Sequence, residues 1–325
     1  MAASPVSIPA LGVGERIHDT LLVWNVDMRT QSDGNPYAIL ELANSTGRAP
    51  TAPFWSTDLH KIEGLTKGAV VDVVAEVQEY RGGRQLKVVS IRPVPHELAD
   101  LTRLLPSVGA VAPWWNLLDK WRGEMADGPW SRAAAAFYDD PDFRRAYERC
   151  PASIGNHHAA LGGLLKHTGE VAHIARAIAK TCAADWDLLL AGVLLHDVGK
   201  LEAYRYDGLF ETTEAGALLG HVSLGALMLE RRLAELAPPL AGCERSLLHH
   251  LVLSHHGALE FGSPVLPMTL EAEILHLADH ASATSTNFAD ALRDDANFAS
   301  GARVSRRIWS LDDRKIYRAP QGDTP

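Results

Sequence analysis

His196 and Asp197, in the run Leu194-Leu195-His196-Asp197-Val198-Gly199-Lys200, place an imidazole beside a carboxylate at the end of an apolar stretch. His167 lies upstream, and His221, the pair His255-His256 and Asp279 follow. Imidazoles and carboxylates recurring at the ends or on the faces of successive helices are how a bundle builds a metal site in its core. With no thiolate among them, the set suits divalent Mn, Fe, Co, Ni, Zn or Mg and argues against a structural Cys-type zinc. On one helix His196 and Asp197 would point about 100° apart, so both ligate only from a helix end or beside a site wide enough for more than one ion. Asp197 has two oxygens and can bridge two metals. His167 and Asp279, from the helices before and after, complete a set for one ion, and His221, His255 and His256 supply nitrogens for a second. Two ions a few ångströms apart can activate a water and steady both the attacking and the leaving oxygen of a phosphodiester, which is the chemistry of a metal-dependent phosphohydrolase.

Two further features stay open at this level. Lys200, one turn after His196, is either a solvated cation at a helix end or a contact to a phosphate oxygen or leaving group. His157 and His158 either begin a helix or touch substrate. His18, His60, His96, His173, His249 and His276 lack such a context and read as ordinary core or surface histidines.

The elements that must position these groups change character near residue 95. Between Gly14 and Pro95, short alternating runs are separated by turn signals: Thr20–Val26, Tyr37–Leu42 after Ser32-Asp33-Gly34-Asn35-Pro36, Ala49–Trp55, Val70–Val77, and Gln85–Ile91 after Arg81-Gly82-Gly83-Arg84. Five strands with such turns predict a small β-barrel, with the five-stranded OB-fold as leading candidate. Lys61–Leu65 suits that fold's short helix or loop. Beyond Pro93-Val94-Pro95 the period becomes that of helices, predicted over Glu97–Leu105, Trp114–Met125, Ser131–Tyr138, Pro141–Arg149, His158–Lys180, Trp186–Gly199, Ala215–Leu236, Glu244–His255 and Leu270–Asp294. Tyr204–Thr213 reads as a loop or short hairpin. The expected organisation is a flexible N-terminus (1–13), an OB-fold nucleic-acid-binding domain (14–95), a helical linker opening the second domain (96–150), an all-α bundle bearing the histidines (151–296) and a basic tail (297–325), an α+β multidomain protein.

Bulk properties agree. At 325 residues the chain exceeds a comfortable single core. It is 46% hydrophobic and 22% charged, and its net charge of -9 counts against broad nonspecific nucleic-acid binding without excluding a locally basic groove. Cys150, Cys182 and Cys243 are odd in number and far apart, which fits a reducing cytoplasm. The segment MAASPVSIPALGVGE is not built like a signal peptide, and no apolar run approaches the roughly 20 residues that span a bilayer. A cytoplasmic protein without membrane partners is expected. The apolar pair Trp114-Trp115 suits either a homo-oligomer interface or core packing.

The order H…HD…H…HH…D resembles the HD superfamily of metal-dependent phosphohydrolases. More closely, the surrounding phrases resemble YhaM-type 3′-to-5′ exoribonucleases, which join an OB-fold to an HD domain. They are Asn156 to Thr168, Leu188 to Gly192 running into the His-Asp pair, Thr213-Glu214 to Leu219-Gly220-His221, Leu253 to Gly257, Glu260 to Pro267, Leu277 to His280, Val77 to Gly82 before Gln85-Leu86-Lys87, and Ser310 to Tyr317. The resemblance implies ligands at His167, His196, Asp197 and Asp279, with His221, His255 and His256 for a second ion. It also implies a manganese- or cobalt-type metal and removal of nucleoside 5′-monophosphates from the 3′ end of RNA or single-stranded DNA. Two departures stand out: prolines at 50 and 53 in the third barrel segment, and His280 where Asn is expected after Asp279.

Single strands are held by aromatic stacking in a basic groove. Tyr37, Phe54, Trp55 and Tyr80 lie on or beside predicted strands, with Arg81, Arg84, Lys87 and Arg92 in an acid-free run. Filling the core is the commoner fate of barrel aromatics such as Trp24, but an HD enzyme acting on free nucleotides would not need the barrel. The basic cluster Arg303, Arg306, Arg307, Arg314, Lys315 and Arg318 with Trp309 and Tyr317 either packs as a cap or lines the route to the metals. The expected activity is that of a 3′-to-5′ exonuclease in which Asp197 orients the metals and His157, His158 and Lys200 contact phosphate. The rivals are an HD phosphohydrolase of small or cyclic nucleotides with a regulatory barrel, and a binding module with a vestigial site, which the intact ligand set disfavours.

Overall fold

The computed structural model describes residues 5–95, 101–206 and 208–320. Strands β1 (Arg16–Thr30), β2 (Pro36–Asn44), β3 (Gly47–Pro50), β4 (Val70–Tyr80) and β5 (Gly83–Pro93) pair antiparallel in the order β3-β2-β1-β4-β5. The first half of β1 pairs with β4 and the second half with β2, so one long strand bends the sheet round on itself. A parallel bridge from Thr51 to Leu86 links the outer strands. This circuit is the OB-fold. Alternate residues, among them Leu21, Val23, Leu40, Leu42, Val71, Val73 and Leu86, fill its core, as a half-buried period of two requires.

The prolines shape the third strand. Pro50 has no N–H to continue the ladder, so β3 stops there, and the chain next meets the sheet through isolated bridges, Thr51 with Leu86 and Phe54 with Ala38. Trp24 sits at a register shift between Val23 and Asn25. Next to the core residue Val23, it faces out of the core and lies half-buried beneath the Arg48 guanidinium, 5.2 Å from the ring centroid.

Of the expected helix Glu97–Leu105, residues 96–100, His96 included, lie outside the described residues, and α1 (Leu101–Leu104) is its described part. The helices that follow are α2 (Ala112–Gly123), α3 (Pro129–Tyr138), α4 (Pro141–Tyr147), α5 (Gly163–Ala179), α6 (Trp186–Leu195), α7 (Lys200–Ala203), α8 (Glu214–Ala234), α9 (Gly242–Ser254) and α10 (Leu270–Arg293). A two-stranded hairpin, β6 (Tyr204–Arg205) and β7 (Glu211–Thr212), separates α7 from α8. The chain divides into two compact units, one of Met1–Ser107 with Arg205–Glu211 and one of Val108–Tyr204 with Thr212–Pro325.

Two of the differences in helix limits bear on the site. The helix expected from His158 begins at Gly163, because His158 and Gly162 are left-handed (φ 51° and 79°) and the loop folds back on the helix start. The helix expected to end at Gly199 ends at Leu195, and the His-Asp pair occupies the turn before α7. The C-terminal stretch is a folded cap: Ile308, Leu311 and Ile316 pack on Phe288, Ala291 and Leu292 at the end of α10. Within it Arg318 lies 3.9 Å over the Phe298 ring and binds Asp295. The tryptophan pair also packs inward. Trp115 is buried against Tyr138 and Tyr147, and Trp114 lies on Gly169 where a Cβ would meet its ring at 2.4 Å.

Candidate metal centre

Residues Leu188–Leu195 of α6 are all buried, and Asp185 caps the helix by accepting the Asp187 and Leu188 N–H groups. So apolar a helix has one stable place, the middle of the bundle. Its C-terminal end therefore delivers His196 and Asp197 into the interior, 0% and 1% exposed. Helix α5 brings His167, His255 and His256 follow directly on α9, and α10 presents Asp279. His221 arrives through two glycines. Gly220 (φ 71°, ψ 154°) kinks α8 immediately before it. A Cβ on Gly199 would lie 2.0 Å from the His221 carbonyl oxygen, so only glycine lets α8 approach this closely.

The side chains converge on Asp197. Its Oδ2 lies 3.2 Å from His196 Nε2 and 3.6 Å from His167 Nε2, while Asp279 Oδ1 is 2.9 Å from the same His167 nitrogen. Its Oδ1 faces the other way, 3.4 Å from His221 Nε2 and 3.7 Å from His255 Nε2. His256 Nε2 is 3.3 Å from His221 Nε2. One carboxylate thus stands between two groups, His167-His196-Asp279 and His221-His255-His256, and each of the two includes donor atoms within 4.8 Å of one another.

The outer ring nitrogens show which way the lone pairs point. Nδ1 of His196, His255 and His256 binds the carbonyl oxygens of Val193, Val252 and Phe261 at 2.8, 2.7 and 2.6 Å. A carbonyl only accepts, so Nδ1 carries the proton and the Nε2 lone pair faces the cluster, the arrangement of metal-bound histidine. Asp197 Oδ1 and His255 Nε2 are buried and have no hydrogen-bond partner among the described residues. Buried polar atoms are rarely left so, and two acceptors facing each other are satisfied by a cation between them. The residues fit divalent metal.

Electrostatics prepare the same state. Burial pushes His157 and His221 down to about 3. Burial also lowers His167, and burial with His256 holds His255 well below the ordinary imidazole range. Burial disfavours the charged Asp197, yet Lys200 and then His196 hold it far below the usual carboxylate range. Against the same penalty, contact with the His167 imidazole keeps Asp279 ionised. For His196, Asp197 and Asp279 outweigh burial and raise the pKa, and the field that favours a proton there favours a metal cation at the same Nε2. Neutral imidazoles and ionised carboxylates are the ligand forms that metal needs.

Lys200, expected on phosphate, is 5% exposed, and its Nζ lies 2.5 Å from Asp197 Oδ2, so it acts through that carboxylate. The His157 ring is 5.3 Å from that of His167. His158 is buried and engaged, with Nε2 2.7 Å from Glu170 Oε2. His280 turns away from Asp279 into solvent, 3.4 Å from Thr284 Oγ1.

Three supporting residues escaped the sequence reading. His167 Nδ1 lies 3.1 Å from Ser282 Oγ, which donates to Glu170 Oε2 at 2.9 Å, and that carboxylate also meets His158. His276, read as ordinary, binds the His255 carbonyl oxygen at 3.1 Å and packs where Gly257 leaves room for its ring. A polar residue three or four places from a ligand was the available signal.

In the barrel, the Tyr37 and Trp55 rings lie 5.2 Å apart, and Trp55 is 45% exposed. Tyr80 is exposed with Arg81 5.2 Å from its ring centroid, and Arg84 and Lys87 are exposed. Phe54 is 5% exposed within the core and offers no face to a strand. Arg92 is paired with Asp72.

A bundle with an inward ligand set of this type, following a five-stranded OB-fold, defines a two-domain HD hydrolase, and an HD domain profile matches residues 164–284. The chain is 31% identical over 317 residues to the 3′-5′ exoribonuclease YhaM of Halalkalibacterium halodurans, across 94% of each chain. It is 32% identical over 311 residues to the 3′-5′ exoribonuclease YhaM of Bacillus subtilis (strain 168), across 94% of this chain and 96% of that one. The chain belongs to the YhaM exoribonuclease family. The solution structure of the second OB-fold domain of replication protein A from Methanococcus maripaludis aligns with 29% of this chain and 97% of its own, at 17% identity and a TM-score of 0.23. The barrel assignment rests on strand order. Among the described residues, no helix is long and apolar enough to cross a membrane.

Proposed function

We propose that this protein is a 3′-to-5′ exonuclease that hydrolyses the terminal phosphodiester of single-stranded RNA and releases nucleoside 5′-monophosphates. The observation that carries this reading is the Asp197 carboxylate, whose two oxygens face two separate imidazole groups. His167, His196, Asp197 and Asp279 would hold one divalent ion, and Asp197, His221, His255 and His256 a second, with Mn²⁺ the first to test. When bound, such a pair supplies Lewis acidity for activating water and offsetting charge on a phosphodiester.

The chain's own groups do the rest. Lys200 keeps Asp197 ionised. His157, neutral at physiological pH, offers an N–H to a phosphate oxygen. His158, locked on Glu170, holds the loop that carries His157. Tyr37 and Trp55 form a stacking face for bases, and Tyr80, Arg81, Arg84 and Lys87 form an aromatic and basic edge for a single strand, within the module of residues 14–95.

The test is a time course with 5′-labelled single-stranded RNA, matched DNA and Mn²⁺. A ladder that shortens from the 3′ end and stops with EDTA supports the reading and gives the sugar preference. Intact oligonucleotides beside turnover of mononucleotides or cyclic dinucleotides overturn it in favour of a small-nucleotide phosphohydrolase.

A further inference from the structure

The C-terminal cap and the outer end of α10 enclose a cleft of about 570 Å³ that the metal ligands do not line. Its size is that of a small-molecule or nucleotide site. One wall is Trp309, 79% exposed and without a ring contact among the described residues, flanked by Arg306 and Arg307. The facing elements supply Asn156, from the loop before His157, and Asn287 of α10. The side-chain amides of both make no hydrogen bond among the described residues. Asn297, by contrast, is engaged: it donates to the Ala291 carbonyl oxygen and accepts from Arg306, which it aims. An unstacked indole, two free amides and two guanidiniums are the groups that take a base face, a base edge and a phosphate.

The location adds the second argument. Asn156 adjoins His157, whose ring contacts that of His167. Asn287 follows Thr286, whose Oγ1 is 3.4 Å from His158 Nε2. It is eight residues beyond Asp279, about 12 Å along α10. The cleft therefore continues from the ligand cluster on the side of the His157-His158 loop. Asp290 and Asp294 line its helix wall, and their charge steers a sugar-phosphate backbone towards the arginines of the cap.

We infer that this cleft binds a nucleoside of the substrate strand on the 5′ side of the scissile phosphate, its base stacked on Trp309 and its edge read by Asn156 and Asn287. The inference rests on the exonuclease reading and deepens it: the enzyme grips a strand within the catalytic unit as well as through the barrel.

The test is fluorescence anisotropy of a short 5′-labelled single-stranded RNA in EDTA, so that binding is measured without cleavage. Stacking worth about 1–3 kcal/mol per base predicts that Trp309→Ala weakens binding about fivefold to 150-fold. Trp309→Phe should retain most of it. With Mn²⁺, Trp309→Ala should raise KM for RNA more than it lowers kcat, with ion stoichiometry and melting temperature unmoved. Binding by Trp309→Ala within twofold of wild type overturns the inference, as do an equal loss in Trp309→Phe and a wild type that binds no RNA in EDTA. Wild type that binds RNA in EDTA but never shortens it with Mn²⁺ overturns the exonuclease reading instead, leaving the variant comparison to judge the cleft.

Discussion

Removing the Ser282 hydroxyl should loosen the metal centre although Ser282 touches no metal. Its Oγ accepts from His167 Nδ1 at 3.1 Å and donates to Glu170 at 2.9 Å, and the residue is 1% exposed. Ser282→Ala leaves a buried imidazole N–H with no acceptor, since His167 is wholly buried, at a cost of about 1–3 kcal/mol. With its orientation no longer fixed, His167 should bind its ion about 10-fold to 100-fold more weakly, or about 1.4–2.7 kcal/mol. Titration calorimetry of EDTA-treated protein with Mn²⁺ separates the sites. The ion at His167-His196-Asp279 should weaken while the one at His221-His255-His256 stays within a few-fold. Unchanged affinity at the first site would refute the claim that the Ser282-Glu170 chain positions His167. Equal weakening at both sites would point to a general loss of structure instead.

Asp197→Asn should lower ion occupancy at both groups, because both use that carboxylate. It should also destabilise the metal-free protein by about 3–5 kcal/mol by stranding buried Lys200. Adding Lys200→Met should recover most of that cost in urea unfolding, and no recovery would deny the pair its coupling. His157 and His221, held near 3 against an ordinary 6.5, bind protons less readily folded than unfolded. Stability of the metal-free protein should therefore rise with pH across that window and fall as pH drops below about 6.5, by about 1.4 kcal/mol per pH unit for each histidine. A denaturation midpoint that stays level from neutral pH to about 5 would contradict this. In the barrel, Trp55→Ala should weaken RNA binding in EDTA by about 1–3 kcal/mol without moving the melting temperature. Phe54→Ala should instead cost about 3–5 kcal/mol of stability, and the reverse pattern would mean that the two rings have been assigned to the wrong faces.

Much of this was legible in the chain because local rules and tertiary structure agree. Four of the five strands lie where alternation and turn residues put them, while β3 is Gly47–Pro50 in place of the expected Ala49–Trp55, and α8 and α10 begin at the threonines, Thr213 and Thr269, that cap them. The ligand order pointed to the centre because each His or Asp ends or interrupts an apolar run. What stayed hidden depends on approach in space. Phe54 and Trp55 are neighbours, and beyond Pro50 no regular ladder says which one turns inward. Trp24 shares its parity with Val26, which packs on the core, and only the register shift between Val23 and Asn25 separates the two. Spacing of three residues from His167 and Asp279 marks Glu170 and Ser282 only as candidates, since their roles exist only when α5 and α10 lie side by side. The start of α5 at Gly163 reflects the His158 carbonyl oxygen, which would sit 2.0 Å from a Cβ there.

The short segment Arg205–Glu211 is spelled in the second half of the chain yet belongs to the same compact unit as the barrel. Lys67 of that unit is 3.8 Å from Glu211, and Arg205, Gly208, Leu209 and Glu211 line a cleft of about 340 Å³ with Thr66 to Ala69. A gene fragment that stops at residue 107 would encode a barrel without part of its own surface. A break in the gene at that point would part the barrel from a strip of its own unit.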